Sequence, residues 1–129
     1  MLTVGYVGLG AMGGALAGHL TKGHDLIVMD RNPAAVAAFQ GALGAASGAD
    51  LARAAEVIFL CLPRTSDVQG AIFGPGGLAE GLSPGKLIID QTSGVPGQTA
   101  AIAAELAARG VMMLDAPLSG GVPARRRER

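Results

Sequence analysis

Tryptophan is absent from this sequence and aromatic residues make up only 3% of it, so a core must be assembled from Ala, Val, Leu, Ile and Met. Such a core suits helices layered over buried parallel strands, whose aliphatic runs are continuous rather than alternating. Cysteine is nearly absent as well. Cys61 stands alone, which excludes an internal disulfide, and inside the apolar run from Val57 to Leu62 it is expected to be a small buried hydrophobe in a reducing compartment. One Cys and two displaced histidines, His19 and His24, give no ligand spacing, so no metal is expected.

A broad basic face is also missing. Residues 1 to 124 carry six basic and nine acidic side chains, a net of −3, and the balance to zero comes from Arg125, Arg126, Arg127 and Arg129 less Glu128, a net of +3. Nucleic-acid binding needs clustered cations, so no nucleic-acid partner is expected for the folded part, and residues 124–129 are expected to be a solvated basic tail. The first 18 residues hold no charge, yet Gly5, Gly8, Gly10, Gly13 and Gly14 interrupt them and no cationic segment precedes Leu2. Neither a membrane span nor a signal peptide fits that pattern, and a cytoplasmic protein is the expectation.

What the chain has in abundance is glycine, and its placement matters more than its number. Thr3 to Val7 forms an apolar run, Gly8, Gly10 and Gly13 follow at G-x-G-x-x-G spacing, and Asp30 ends the next apolar run, Leu26 to Met29. A strand, a glycine turn, a helix and a second strand closed by an acid about 20 residues on make the dinucleotide-binding fingerprint. Gly8 would turn the chain off the strand, Gly10 would admit a pyrophosphate to bare amides, and Gly13 would let helix and strand approach. An ordinary glycine turn is the alternative.

Strand-like and Ala-rich helical stretches alternate along the chain, which predicts an α/β fold of the Rossmann type, a doubly wound and mainly parallel sheet over residues 1–123. The expected elements are strands at 2–7, 25–30, 44–46, 56–61, 86–90 and 111–115 and helices at 11–21, 33–41, 48–54, 65–72 and 96–109. In such sheets the ligand lies at the carboxyl ends of the strands. Asp30 there would take an adenosine ribose diol and favour NAD, whereas Arg31 would grip a 2′-phosphate and favour NADP, so NAD or NADP is the cofactor expected. Asp30 can also be a turn acid before Pro33, Leu62-Pro63 a nicotinamide wall or a plain strand end, and Thr92 and Ser93 cofactor contacts or caps for the helix after Pro96. Ser119-Gly120-Gly121 suits a small carboxylate or a simple turn.

Taken together, Gly8-Leu9-Gly10-Ala11-Met12-Gly13, Met29-Asp30-Arg31-Asn32-Pro33, Cys61-Leu62-Pro63, Ile89-Asp90-Gln91-Thr92-Ser93 and Asp115-Ala116-Pro117-Leu118-Ser119-Gly120-Gly121 resemble the β-hydroxyacid dehydrogenases. That family includes 3-hydroxyisobutyrate dehydrogenase, tartronate semialdehyde reductase and, more distantly, 6-phosphogluconate dehydrogenase. The resemblance implies hydride transfer between NAD(P) and a small 3-hydroxy acid or semialdehyde. It gives the pyrophosphate to residues 8–13, the ribose to Asp30, Arg31 and Asn32, the nicotinamide half to Leu62, Pro63 and Ser93, and the substrate carboxylate to Ser119, Gly120 and Gly121.

Two departures stand out. Asp67 occupies a position where many members have Asn. The family continues past Ser-Gly-Gly into a helix with a catalytic Lys and then an all-helical, dimer-forming domain, and neither Lys22 nor Lys86 matches that Lys. No catalytic residue is therefore assigned, turnover by this chain alone is not expected, and the run Ala124 to Arg129 resembles a truncated or frame-shifted ending. A non-catalytic nucleotide-binding or regulatory module, or a methyltransferase with another adenosine ligand, are the rival classes.

Overall fold

The computed structural model describes residues 2–9, 25–38, 42–92 and 95–116. Six parallel strands form one sheet: β1 (Thr3–Val7), β2 (Asp25–Met29), β3 (Leu43–Gly44), β4 (Val57–Leu60), β5 (Leu87–Asp90) and β6 (Met112–Asp115). Their order across the sheet is β3-β2-β1-β4-β5-β6, so the direction of winding reverses at β1 and leaves a crevice between the carboxyl ends of β1 and β4. Among the described residues the helices are α1 (Pro33–Ala38), α2 (Gly48–Ala54), α3 (Thr65–Phe73) and α4 (Pro96–Ala107), with a 3₁₀ turn at Leu78–Glu80.

The two faces of the sheet bury different sets. Val7, Ile58, Leu60 and Ile88 meet α2, α3 and α4 through Leu51, Val68, Ile72, Ile102 and Leu106. Val4, Tyr6, Leu26 and Val28 point the other way, where Val36 of α1 and Leu9 join them. Alternation along β1 puts Gly5 under α2, and a Cβ there would lie 2.4 Å from Leu51 Cδ2 and 3.2 Å from Ala55 Cβ, so the missing side chain sets how closely α2 rides on the sheet.

Element boundaries follow local chemistry. Ser47 caps α2 by accepting from the Asp50 N–H at 3.1 Å, and at the other end the Lys86 ammonium donates to the carbonyls of Ala52 and, at 3.0 Å, Arg53. Lys86 thus closes the last turn of α2, where a cation also meets the negative end of the helix. Partial burial holds its pKa below the ordinary lysine range. Lys86→Met is expected to lower stability by about 1 kcal/mol in urea unfolding with no change in nucleotide binding, because it removes a helix end cap at the amino ends of the strands, opposite their carboxyl edge.

The short third strand lies at Leu43–Gly44 instead of 44–46, paired with Ile27 and Val28. α4 stops at Ala107, since Gly110 adopts φ +79° and ends the run. The 3₁₀ turn at Leu78 was not anticipated; three residues are too few to show a period, although Leu78 is fully buried. The helix expected at 11–21 and the tail at 124–129 lie outside the described residues. Among the described residues no helix is long and apolar enough to cross a membrane.

Candidate functional site

Where β1 ends, Gly8 takes φ +101° and its N–H donates to the Met29 carbonyl at 2.9 Å. Its Cα lies so near β4 that a Cβ would fall 2.1 Å from the Cys61 carbonyl oxygen. Cys61 in turn donates its N–H to the Val7 carbonyl at 3.0 Å. The turn is thereby pinned between the ends of β2 and β4, and it aims Leu9 toward β2.

Asp30 follows β2 directly. Its Oδ2 accepts from the Leu9 N–H at 2.5 Å and its Oδ1 from the Asn32 N–H at 2.8 Å. Of the two roles the sequence offers, Asp30 takes that of the turn acid before Pro33, and it also ties the glycine turn to the end of the neighbouring strand. Capping of α1 falls to Asn32, whose Oδ1 accepts from the Ala34 N–H at 3.0 Å. Among the described residues each carboxylate oxygen accepts one hydrogen bond, from a capacity of about two. Asp30 and Arg31 line a cleft of about 680 Å³ together with Val7, Met29, Leu62 and Gly70.

Arg31 leans across that cleft to Asp67 on the first turn of α3, Nη2 to Oδ1 at 2.9 Å, while Arg64 Nε reaches Oδ2 at 3.3 Å. Hydrogen bonds from Arg31 and then Arg64 hold the Asp67 carboxyl below the usual carboxylate range. This bridge spans 36 positions from Arg31, and no spacing rule reveals it.

Beyond β4, the Leu62 N–H donates to Thr92 Oγ1 at 3.0 Å, and the Thr92 N–H donates to Asp90 Oδ1 at 2.9 Å. Thr92 is thus a brace between the ends of β4 and β5 and not a cap for α4, whose N-cap is Val95. Leu62 is half-buried beside the cleft, and Pro63, which can donate no N–H, leaves the sheet at the surface. Nearby, the Tyr6 hydroxyl donates to Gln91 Oε1, and its ring stacks on Phe59 at 5.6 Å. Burial and the adjacent Cys61 push the Tyr6 pKa up. Gly10, Ala11, Met12, Gly13, Ser93, Ser119, Gly120 and Gly121 lie outside the described residues.

Residues 3–128 match the family described as the NAD binding domain of 6-phosphogluconate dehydrogenase. The chain belongs to this family. Among curated relatives, 3-sulfolactaldehyde reductase of Escherichia coli K12 is 39% identical over 121 residues, covering 92% of this chain and 41% of the relative. The 3-hydroxyisobutyrate dehydrogenase of Pseudomonas aeruginosa is 38% identical over 125 residues, covering 95% and 42%. The crystal structure of 3-hydroxyisobutyrate dehydrogenase from Salmonella typhimurium superposes with a TM-score of 0.83 at 34% identity, over 94% of this chain and 43% of that one. The chain therefore spans about two fifths of the length of the relatives it matches.

Asp90, beside Thr92, is a residue to which the sequence reading assigns no role. It is 1% exposed at the end of β5, and burial raises its pKa, with the Asp115 carboxylate adding to the rise and Thr92 opposing it. The signal was available: an acid closes the aliphatic run Leu87 to Ile89 at an inward position. A raised carboxyl pKa means that the folded protein holds its proton more tightly than the unfolded chain. The stabilisation this gives is complete below the ordinary aspartate pKa and is lost as pH rises through the folded value. Asp90→Asn, which keeps an acceptor for Thr92, is expected to be as stable as the parent or more so at pH 7 and to flatten this part of the stability profile. Urea midpoints from pH 4 to 8 check this, and a steep loss at pH 7 would contradict it.

Proposed function

We propose that the chain binds NAD or NADP along the carboxyl edge of its sheet and forms the nucleotide half of an oxidoreductase that moves hydride between the nicotinamide and a small 3-hydroxy acid or semialdehyde. The observation that carries this is the Asp30 carboxylate, which lines the cleft and is fixed there by the Leu9 and Asn32 amides at 2.5 and 2.8 Å. A preset acceptor beside the glycine turn suits a ribose diol, and about 680 Å³ accommodates an adenosine. When bound, the dinucleotide supplies the hydride.

In this reading residues 8–13 receive the pyrophosphate, with Gly8 and Leu9 shaping the loop while their own N–H groups stay bonded to Met29 and Asp30. Asp30, Arg31 and Asn32 hold the adenosine ribose. Leu62, Pro63 and Ser93 form the nicotinamide wall, the first of them positioned by Thr92. Ser119, Gly120 and Gly121 receive the substrate carboxylate. The names of the relatives, a sulfolactaldehyde reductase and a hydroxyisobutyrate dehydrogenase, support a small acid or semialdehyde as substrate. The one lysine among the described residues, Lys86, closes α2 and is not placed to supply the proton that carbonyl reduction requires. A reducing cytoplasmic location suits the free thiol of Cys61.

Titration with NADH and NADPH, read by melting temperature and by reduced-nicotinamide fluorescence, tests the reading. Ligand at 100 times its Kd should add about 2.7 kcal/mol of stability. No thermal or fluorescence response to either dinucleotide up to millimolar levels would overturn it, and a response to S-adenosylmethionine in their place would move the chain to the methyltransferase class.

A further inference from the structure

Three charged side chains meet at the rim of the adenosine cleft in an arrangement that a dinucleotide site does not require. The Asp67 side chain is only 9% exposed and meets the guanidiniums of Arg31 and Arg64, one on each carboxylate oxygen, while those two side chains are themselves 77% and 72% exposed. We propose that Asp67 is the residue that turns this site toward NAD(H) and against NADP(H), by engaging the Arg31 guanidinium that would otherwise receive a 2′-phosphate. The inference rests on the dinucleotide reading of the cleft.

Arg31 follows Asp30, so it stands beside the 2′ position of any ribose that Asp30 holds. Alone there, its planar fork would pair with a phosphate through parallel N–H bonds. In the structure one arm of that fork already donates to Asp67 Oδ1 at 2.9 Å. The charges at the rim also cancel. Asp30 and Asp67 oppose Arg31 and Arg64, and a 2′-phosphate, which brings close to two negative charges, would enter a neutral cluster that holds two carboxylates. A ribose diol is uncharged, needs no free guanidinium, and can be taken by Asp30 with the Arg31–Asp67 pair intact.

Exposed ion pairs contribute little to stability, so the cluster is better understood through what it repels than through what it holds together. Replacement by Asn keeps the shape and an acceptor for Arg31 and removes the charge, leaving the rim with one net positive charge.

The test measures NADH and NADPH dissociation constants for the parent chain, Asp67→Asn, Arg31→Gln and the double variant, at one low ionic strength. Asp67→Asn should tighten NADPH about tenfold and change NADH by less than about twofold. Asp67→Ser should move NADPH in the same direction, which guards against a peculiarity of Asn. In the double variant the gain should vanish, since it acts through Arg31. An Asp67→Asn chain that binds NADPH more weakly, or keeps the parental ratio, overturns the assignment while NADH binding by the parent preserves the dinucleotide reading. If the parent binds neither dinucleotide, both fall together.

Discussion

Gly8→Ala is expected to lose about 3 kcal/mol or more of folding stability and, with it, measurable dinucleotide binding at ordinary temperatures. Two costs combine at this position. A φ of +101° is a conformation that residues with a Cβ rarely adopt, worth about 1–3 kcal/mol. The added Cβ would also meet the Cys61 carbonyl oxygen at 2.1 Å and its carbon at 3.0 Å, both backbone atoms of the strand end. Neither side can give way cheaply. The Gly8 N–H is bonded to Met29 and the Cys61 N–H to Val7, so separating them opens the sheet between β1 and its neighbours.

A second substitution separates the two costs. Gly85 has φ +94° but a Cβ added there would have nothing within 4 Å, so Gly85→Ala carries the strain without the collision. It should lose about 1–2 kcal/mol and leave nucleotide binding unchanged. Urea unfolding of both variants reads the difference directly. Equal losses would mean that β4 does not crowd Gly8, and the close approach that pins the turn would have to be abandoned. A domain of this size has about 5–15 kcal/mol in total, so the Gly8 loss is large enough to leave part of the chain unfolded on mild heating.

The sheet was legible because parallel strands buried on both faces leave continuous apolar runs, as in Leu26 to Met29, Val57 to Leu60 and Leu87 to Ile89. Even β6 announced itself through Met112, Met113 and Leu114, although it is an edge strand on which Met112 is 63% exposed. Glycine and proline marked where helices begin and end. The connections that shape the site were hidden for a different reason. Asp67 meets Arg31, Thr92 meets Leu62, and Lys86 meets Ala52 only after strands and helices have been stacked, and a one-dimensional pattern holds no trace of contacts 30 or more positions apart. Asp30 lay between these cases. Its place after a strand was visible, but its double use by Leu9 and Asn32 was not.

That double use makes Asp30→Ala the other substitution with a large expected effect. The change strips the acceptor from two amides at once, those of Leu9 and Asn32, and hydrogen bonds to a charged acceptor are worth about 1.5–3 kcal/mol each where no water replaces them. Water can reach the exposed Asn32 amide, so most of the damage falls on Leu9 and on the aim of the glycine turn behind it. NADH affinity should fall about 10- to 100-fold, because the ribose loses its acceptor and the pyrophosphate loses the ordered turn. The location of the loss is more telling than its size. ADP-ribose, which lacks the nicotinamide, should weaken by the same factor as NADH. Asp30→Asn should fall between, since its amide keeps one oxygen acceptor but sets an N–H₂ against one of two backbone donors. Calorimetric titration of both ligands against the parent and the two variants decides the matter: a loss for NADH with none for ADP-ribose would put Asp30 at the wrong end of the dinucleotide and reverse the orientation argued for the whole cleft.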